Sequence, residues 1–96
     1  MRSALLSLSA ALLLGLAPAY GETSGRYVVA GVAENDMLKM RAGPGAGYKI
    51  VLGLPNGTEL RVLNCESSGG HRWCKVSLEE FRSVRGYVSL AYLRKR

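Results

Sequence analysis

Short apolar runs separated by turn-forming residues are the feature that most restricts how this chain can fold. From Arg26 onward, runs rich in β-branched and aromatic side chains alternate with clusters of Gly, Pro and Asn. No window shows the helical period expected of an amphipathic helix. The pattern therefore predicts an all-β domain.

Five or six short strands can be placed on these runs. The predicted ranges are 27–32, 37–41, 48–54, 58–65, 72–78 and 84–89. Residues 66–71 and 79–83 are predicted as polar hairpin tips, 90–92 as a short turn, and 94–96 as a solvated basic tail. So few short strands do not suit a large two-sheet sandwich. They favour a small, closed or nearly closed antiparallel barrel, which also removes exposed sheet edges.

The first 21 residues differ from the rest and predict a cleavable signal peptide. Arg2 gives a positive start, and an uncharged, Leu- and Ala-rich run covers residues 4–17. This run of about 14 residues is shorter than the roughly 20 needed to span a membrane. Small residues mark two candidate cleavage points, after Ala19 and after Gly21. We therefore expect an exported protein, periplasmic or extracellular, with no transmembrane anchor in the mature chain.

The mature chain is expected to be basic. Without Arg2, the 13 Lys and Arg of the whole chain become 12 against 7 Asp and Glu, a formal net charge of +5. Such a charge suits nucleic acid, an anionic membrane surface or an anionic wall polymer, and it is also ordinary for solubility. Because export separates the protein from nucleic acid, we predict no nucleic-acid partner.

Two cysteines, Cys65 and Cys74, predict a disulfide, because an even count in an exported protein is typical of one. In a regular strand, however, Cys65 would point to the face opposite Val62. If the two cysteines pair across a hairpin, we therefore expect a β-bulge near Leu63 or Asn64.

No arrangement of residues indicates catalysis or metal binding. His71, the only histidine, lies between the two cysteines, but a disulfide would consume both thiols and no fourth ligand has a recognisable spacing. Glu79 and Glu80 are adjacent and would face opposite ways on a strand, so they indicate a solvated turn. We predict a non-enzymatic protein without metal or cofactor.

Four strings in order resemble the signatures of the bacterial SH3 domain family. They are LKMRAGP at 38–44, GTELRV at 57–62, WCKV at 73–76 and GYVSLAYL at 86–93. The corresponding family patterns are L-N-V-R-x-G-P, G-T-x-hydrophobic-x-V, W-x-K-V and G-[WY]-V-S-x-x-Y-L. The likeness spans residues 27–93. Lys39 and Met40 depart from the usual Asn and Val, and only a subset of such domains shares the cysteine pair.

The resemblance implies an SH3-like barrel over residues 26–93 and a binding role. Such barrels hold extended ligands in an aromatic-lined groove. The candidate groove residues are Arg41, Tyr48, Trp73 and Tyr87. Core packing is the alternative for each aromatic: Trp73 and Tyr48 stay open between the two roles, whereas Tyr87 and Tyr92 lean towards structure.

Two functions follow as hypotheses. Because similar modules attach enzymes to peptidoglycan, the first is recognition of peptidoglycan or its stem peptides in the cell envelope. The second is a protein–protein interaction module that binds a proline-rich or extended peptide of an envelope or host protein.

Overall fold

The structure, a computed structural model, describes residues 24–96, so the predicted signal peptide and both candidate cleavage points lie outside the described residues. The strands are β1 Gly25–Val29, β2 Leu38–Arg41, β3 Ile50–Leu54, β4 Glu59–Ser68, β5 His71–Leu78, β6 Arg85–Ser89 and β7 Leu93–Lys95, with a 3-10 helix Leu90–Tyr92 between the last two. They form one antiparallel sheet in the order β3-β2-β6-β5-β4-β1-β7. The all-β prediction is confirmed. No helix within residues 24–96 is long and apolar enough to cross a membrane.

One face of the sheet is apolar and encloses the core. The buried cluster consists of Tyr27, Val29, Leu38, Met40, Leu54, Leu60, Val62, Cys74, Val76 and Val88. Strands β1 and β2 both contribute, although they are four positions apart in the sheet. A flat sheet would hold them roughly 19 Å apart. Their side chains meet in one cluster, so the sheet curls around its apolar face and leaves the other face outside.

The β4–β5 hairpin is longer than predicted. Residues 66–68 and His71 were expected in a loop, but pairing continues to Ser68 opposite His71. Only Gly69 and Gly70 form the turn, with φ of 58° and 82°. Two glycines at positive φ make a tight turn that matches the twist of the strands, so the polar residues on either side stay in the ladder.

The bulge predicted from the parity of the cysteines is confirmed. Val62 pairs with Val76, the register then shifts between Val62 and Asn64, and Cys65 comes opposite Cys74. The extra residue turns Cys65 towards the inner face, where it packs against the core. The structure joins the two cysteines in a disulfide.

The C-terminal residues differ from the predicted free tail. Leu93–Lys95 form β7, which pairs with β1 and places Leu93 opposite Val29. The Arg96 N–H then donates to the Arg26 carbonyl at 3.0 Å. The outer edge of β1 needs partners for its backbone groups, and the last residues supply them although their side chains are charged.

The loop between β1 and β2 is tied to the turn after β3 by one side chain. The Asn56 Oδ1 accepts from the Val32 N–H at 3.1 Å, and its Nδ2 donates to the Val32 carbonyl at 2.7 Å. The oxygen and the nitrogen of the Asn56 amide are therefore both hydrogen-bonded to the backbone of Val32. The Asn56-Gly57 pair predicts a turn, but nothing in the sequence indicates this long-range contact.

We expect Asn56→Ala to lower the free energy of unfolding by about 1–2 kcal/mol, because two hydrogen bonds are lost at an exposed position. Asn56→Asp should cost at least as much, since a carboxylate oxygen would replace the donor facing the Val32 carbonyl. Urea unfolding of the three proteins checks this. Equal midpoints for wild type and Asn56→Ala would contradict it.

Candidate functional site

The outer face of the sheet carries three of the four predicted groove residues. Arg41 on β2 lies opposite Tyr87 on β6, and Tyr87 lies opposite Lys75 on β5. Trp73 is two residues from Lys75 and shares its face. Met40, beside Arg41 on the chain, points the other way into the core. Pairing across β2, β6 and β5 therefore brings Arg41, Tyr87 and Trp73 to one surface.

The glycine-rich loop brings Tyr48 to the same place. The Arg41 Nη1 donates to the Tyr48 carbonyl at 2.9 Å, and the Tyr48 N–H donates to the Gly45 carbonyl at 3.2 Å. The Tyr48 ring lies directly on Gly43, where an added Cβ would be 2.7 Å from the ring's Cγ. Only glycine allows this approach. Arg41 thus connects the strand to the loop and fixes the backbone of Tyr48.

Exposure separates the roles of the aromatic residues. The residue Tyr48 is 51% exposed, and Tyr87 is half-buried. Trp73 is only 9% exposed although it lies outside the core cluster. Trp73 can therefore form the floor of a binding surface but offers a ligand little contact area. Tyr92 is exposed but belongs to a different concavity.

That concavity was not predicted from the sequence. It measures about 350 Å³ and is lined by residues 31–33, 36–39 and Tyr92. At its rim the Asp36 Oδ1 accepts from the Met37 N–H at 2.7 Å and from the Lys39 Nζ at 3.1 Å. These bonds hold the pKa of Asp36 below its ordinary value, the backbone bond first and Lys39 second. Two other clefts of about 330 and 320 Å³ are nearly as large, so size alone does not identify a site.

Neither of the catalytic alternatives weighed from the sequence, a Cys-His pair or a metal site, has the groups that it needs within residues 24–96. Cys65 and Cys74 are bonded to each other, and residues 24–96 contain no free cysteine. His71 is exposed beside the Gly69-Gly70 turn. In the same range no group of three or more His, Cys, Asp or Glu side chains could hold a metal ion. The groups available to contact a ligand are those of a binding surface: a guanidinium group, aromatic rings and exposed backbone.

Comparison with known proteins agrees with this description. A family model of the bacterial SH3 domain matches residues 36–94. Over 56 residues, the chain is 34% identical to the candidate N-acetylmuramoyl-L-alanine amidase YrvJ of Bacillus subtilis (strain 168). The match covers 58% of this chain and 10% of the relative, so the chain spans about a tenth of that protein's length. No solved structure matches the chain at a significant level.

Proposed function

Because the chain belongs to the bacterial SH3 domain family, we propose that it is an exported, non-catalytic module that binds peptidoglycan or its stem peptides in the cell envelope. The observation that carries the proposal is the surface formed by Arg41, Tyr48 and Tyr87, called here the Tyr48 surface. It combines a positioned cation with aromatic rings on the outer face of the sheet. The predicted leader would deliver this surface to the periplasm or the exterior.

The Tyr48 surface has the chemistry that a peptide bearing carboxylates requires. A guanidinium group has five donors, and Arg41 uses Nη1 on the Tyr48 carbonyl. The remaining N–H groups of Arg41 can donate to a carboxylate in a charge-assisted pair. The tyrosines add apolar area with a polar tip, which suits an extended peptide or a glycan. Trp73 lies on the same face, two residues from the partner of Tyr87, and is buried.

The relative's name describes an amidase, but that activity does not carry over to this chain. The match covers 10% of the relative. The described residues offer no free thiol and no metal-binding group. Binding to the wall, rather than hydrolysis of it, is the role that these residues support.

Sedimentation with purified sacculi at moderate salt tests the proposal. We expect the wild-type mature protein to pellet, and Tyr48→Ala and Arg41→Ala to bind about tenfold more weakly, because a few central residues carry most binding energy at such surfaces. Tyr48→Ala is preferable to Trp73→Ala, since Trp73 is buried and its loss would also affect stability.

Phe81→Ala is the matched control. Phe81 is 63% exposed and lines the cleft that includes Leu78 and Glu80, away from the Tyr48 surface. This variant should pellet as wild type does. The proposal fails if the wild type stays in the supernatant, or if Tyr48→Ala and Phe81→Ala bind alike.

A second candidate function, binding of an extended peptide from an envelope or host protein, is favoured by the edge strand β3. Its residues Ile50, Val51 and Leu52 are 51%, 47% and 38% exposed, and β3 pairs only with β2. An edge with free backbone groups and apolar side chains can accept another strand. Peptidoglycan fragments should displace the bound partner only under the first function.

A further inference from the structure

A row of arginines crosses the outer face of the sheet beside the Tyr48 surface. Arg26 on β1 lies opposite Arg61 on β4, Arg61 lies opposite Ser77 on β5, and Ser77 lies opposite Arg85 on β6. Residues that are directly opposite share a face, so the three arginines point outward from β1, β4 and β6, with Ser77 of β5 between the last two. Arg26, Arg61 and Arg85 are called here the arginine row.

One carboxylate holds two members of the arginine row, Arg26 and Arg61, together with Arg82. The Glu79 Oε1 lies 3.3 Å from the Arg61 Nη2, 3.6 Å from the Arg82 Nη1 and 4.0 Å from the Arg26 Nη2. The Glu79 side chain is 17% exposed, whereas those of Arg26 and Arg82 are 64% and 57% exposed. Glu79 therefore lies beneath the guanidinium groups of Arg26 and Arg82, which remain accessible from solvent, whereas the Arg61 side chain is 30% exposed and its Nε is buried.

The local charge stays strongly positive after this pairing. The four arginines 26, 61, 82 and 85 outnumber Glu79 by three charges, and Glu59, two residues before Arg61 on the same face, is paired with Arg96. Among residues 24–96, no carboxylate lies within ion-pair distance of Arg85. A surface of this kind concentrates anions from solution.

We propose that the arginine row is a second binding site and that its ligand is a linear polymer of phosphate groups. Phosphate suits the row because every unit of such a polymer carries a negative charge and several acceptor oxygens, so separate units can pair with Arg61 and with Arg85. A polymer fits better than a single anion, because Arg85 lies two strands from Arg61, about 10 Å away.

The composition of the row favours a polymer without bases. Arg26, Arg61, Ser77 and Arg85 include no aromatic side chain, and Tyr87, two residues from Arg85 on the same face, is half-buried. Proteins that bind single-stranded nucleic acid use aromatic rings on which successive bases stack. The row contributes only positive charges and guanidinium donors. A phosphate polymer without bases can pair with all of these groups.

Binding of linear inorganic polyphosphate to the full mature chain, measured by calorimetry between about 50 and 200 mM salt, tests this. Arg26→Ala/Arg85→Ala is the informative variant, because it leaves the Arg61–Glu79 pair intact. Each lost phosphate contact should make the slope of log K against log salt concentration about 0.7 less steep. The slope of the double variant should therefore be about 1.4 less steep than that of wild type, and its affinity near 0.1 M salt should be about 20-fold weaker.

Lys49→Ala/Arg72→Ala is the matched control, because it also removes two positive charges but takes them from outside the row. Lys49 lies in the glycine-rich loop, and Arg72 lies near the β4–β5 turn. The control should lose less than about threefold in affinity, and thermal unfolding should show that both variants fold.

Three results would overturn the proposal. They are no polyphosphate binding by the wild type, an equal loss in the control, and duplex DNA bound as tightly as polyphosphate. The Tyr48→Ala variant should keep its affinity for polyphosphate. Its sedimentation with sacculi and the polyphosphate measurement therefore report on separate sites.

Discussion

Replacing Gly86 with alanine is expected to lower the free energy of unfolding by about 3 kcal/mol, because the new methyl group has no room. A Cβ at position 86 would touch the Met40 side chain, with 2.7 Å to its Sδ, and would lie 3.0 Å from the Arg41 carbonyl oxygen. Met40 is fully buried and cannot swing out, and the carbonyl belongs to the backbone of β2. Relief therefore requires β2 and β6 to separate.

Urea unfolding of wild type and Gly86→Ala measures this effect. Gly47→Ala is the matched control, because a Cβ at Gly47 would meet nothing within 4 Å and its φ is not positive. That control should stay within about 1 kcal/mol of wild type. Equal midpoints for Gly86→Ala and wild type would show that β2 and β6 are not packed this closely.

Removing the disulfide by Cys65→Ala/Cys74→Ala is expected to cost about 2–3 kcal/mol, from the chain entropy released in the unfolded state. The two cysteines are nine residues apart in sequence, and Cys74 is fully buried. Native domains are stable by only about 5–15 kcal/mol, so the bridge accounts for a large share of the total.

Guanidinium unfolding with and without reductant checks this expectation. Reduced wild type and the double variant should unfold at similar midpoints, both well below the oxidised protein. Mass spectrometry of the mature protein with and without reduction would show whether the bridge forms, and it would place the cleavage after Ala19 or after Gly21. If reductant leaves both the mass and the midpoint of wild type unchanged, the disulfide prediction is wrong.

Local patterns in the sequence were sufficient to predict six of the seven strands and the bulge, but not β7. Alternation of apolar and polar residues depends only on neighbours along the chain, and the parity of Cys65 against Val62 already required an extra residue in β4. The same reasoning from local patterns was wrong about two segments that the structure pairs into strands. Residues 66–68 and 94–95 are polar or charged, yet they are paired because the strands beside them need backbone partners.

Which of the candidate site residues bind a ligand stays a prediction. The resemblance to the family singled out Arg41, Tyr48, Trp73 and Tyr87 from the sequence. The close approach of Tyr48 to Gly43 and the small exposed fraction of Trp73 depend on contacts between strands and loops. Side-chain exposure is a property of neighbours in space, which the sequence alone does not specify.

By itself, the sequence determined that the domain is all-β and that its strands are short, and it predicted an interruption of β4 before Cys65 on the condition that the two cysteines pair. These properties follow from side-chain alternation and turn chemistry, which act over a few residues. Only the tertiary structure decided that Trp73 is buried and that Arg26, Arg61 and Arg85 form one row. The physical reason is the register between strands, which places residues far apart in the chain side by side.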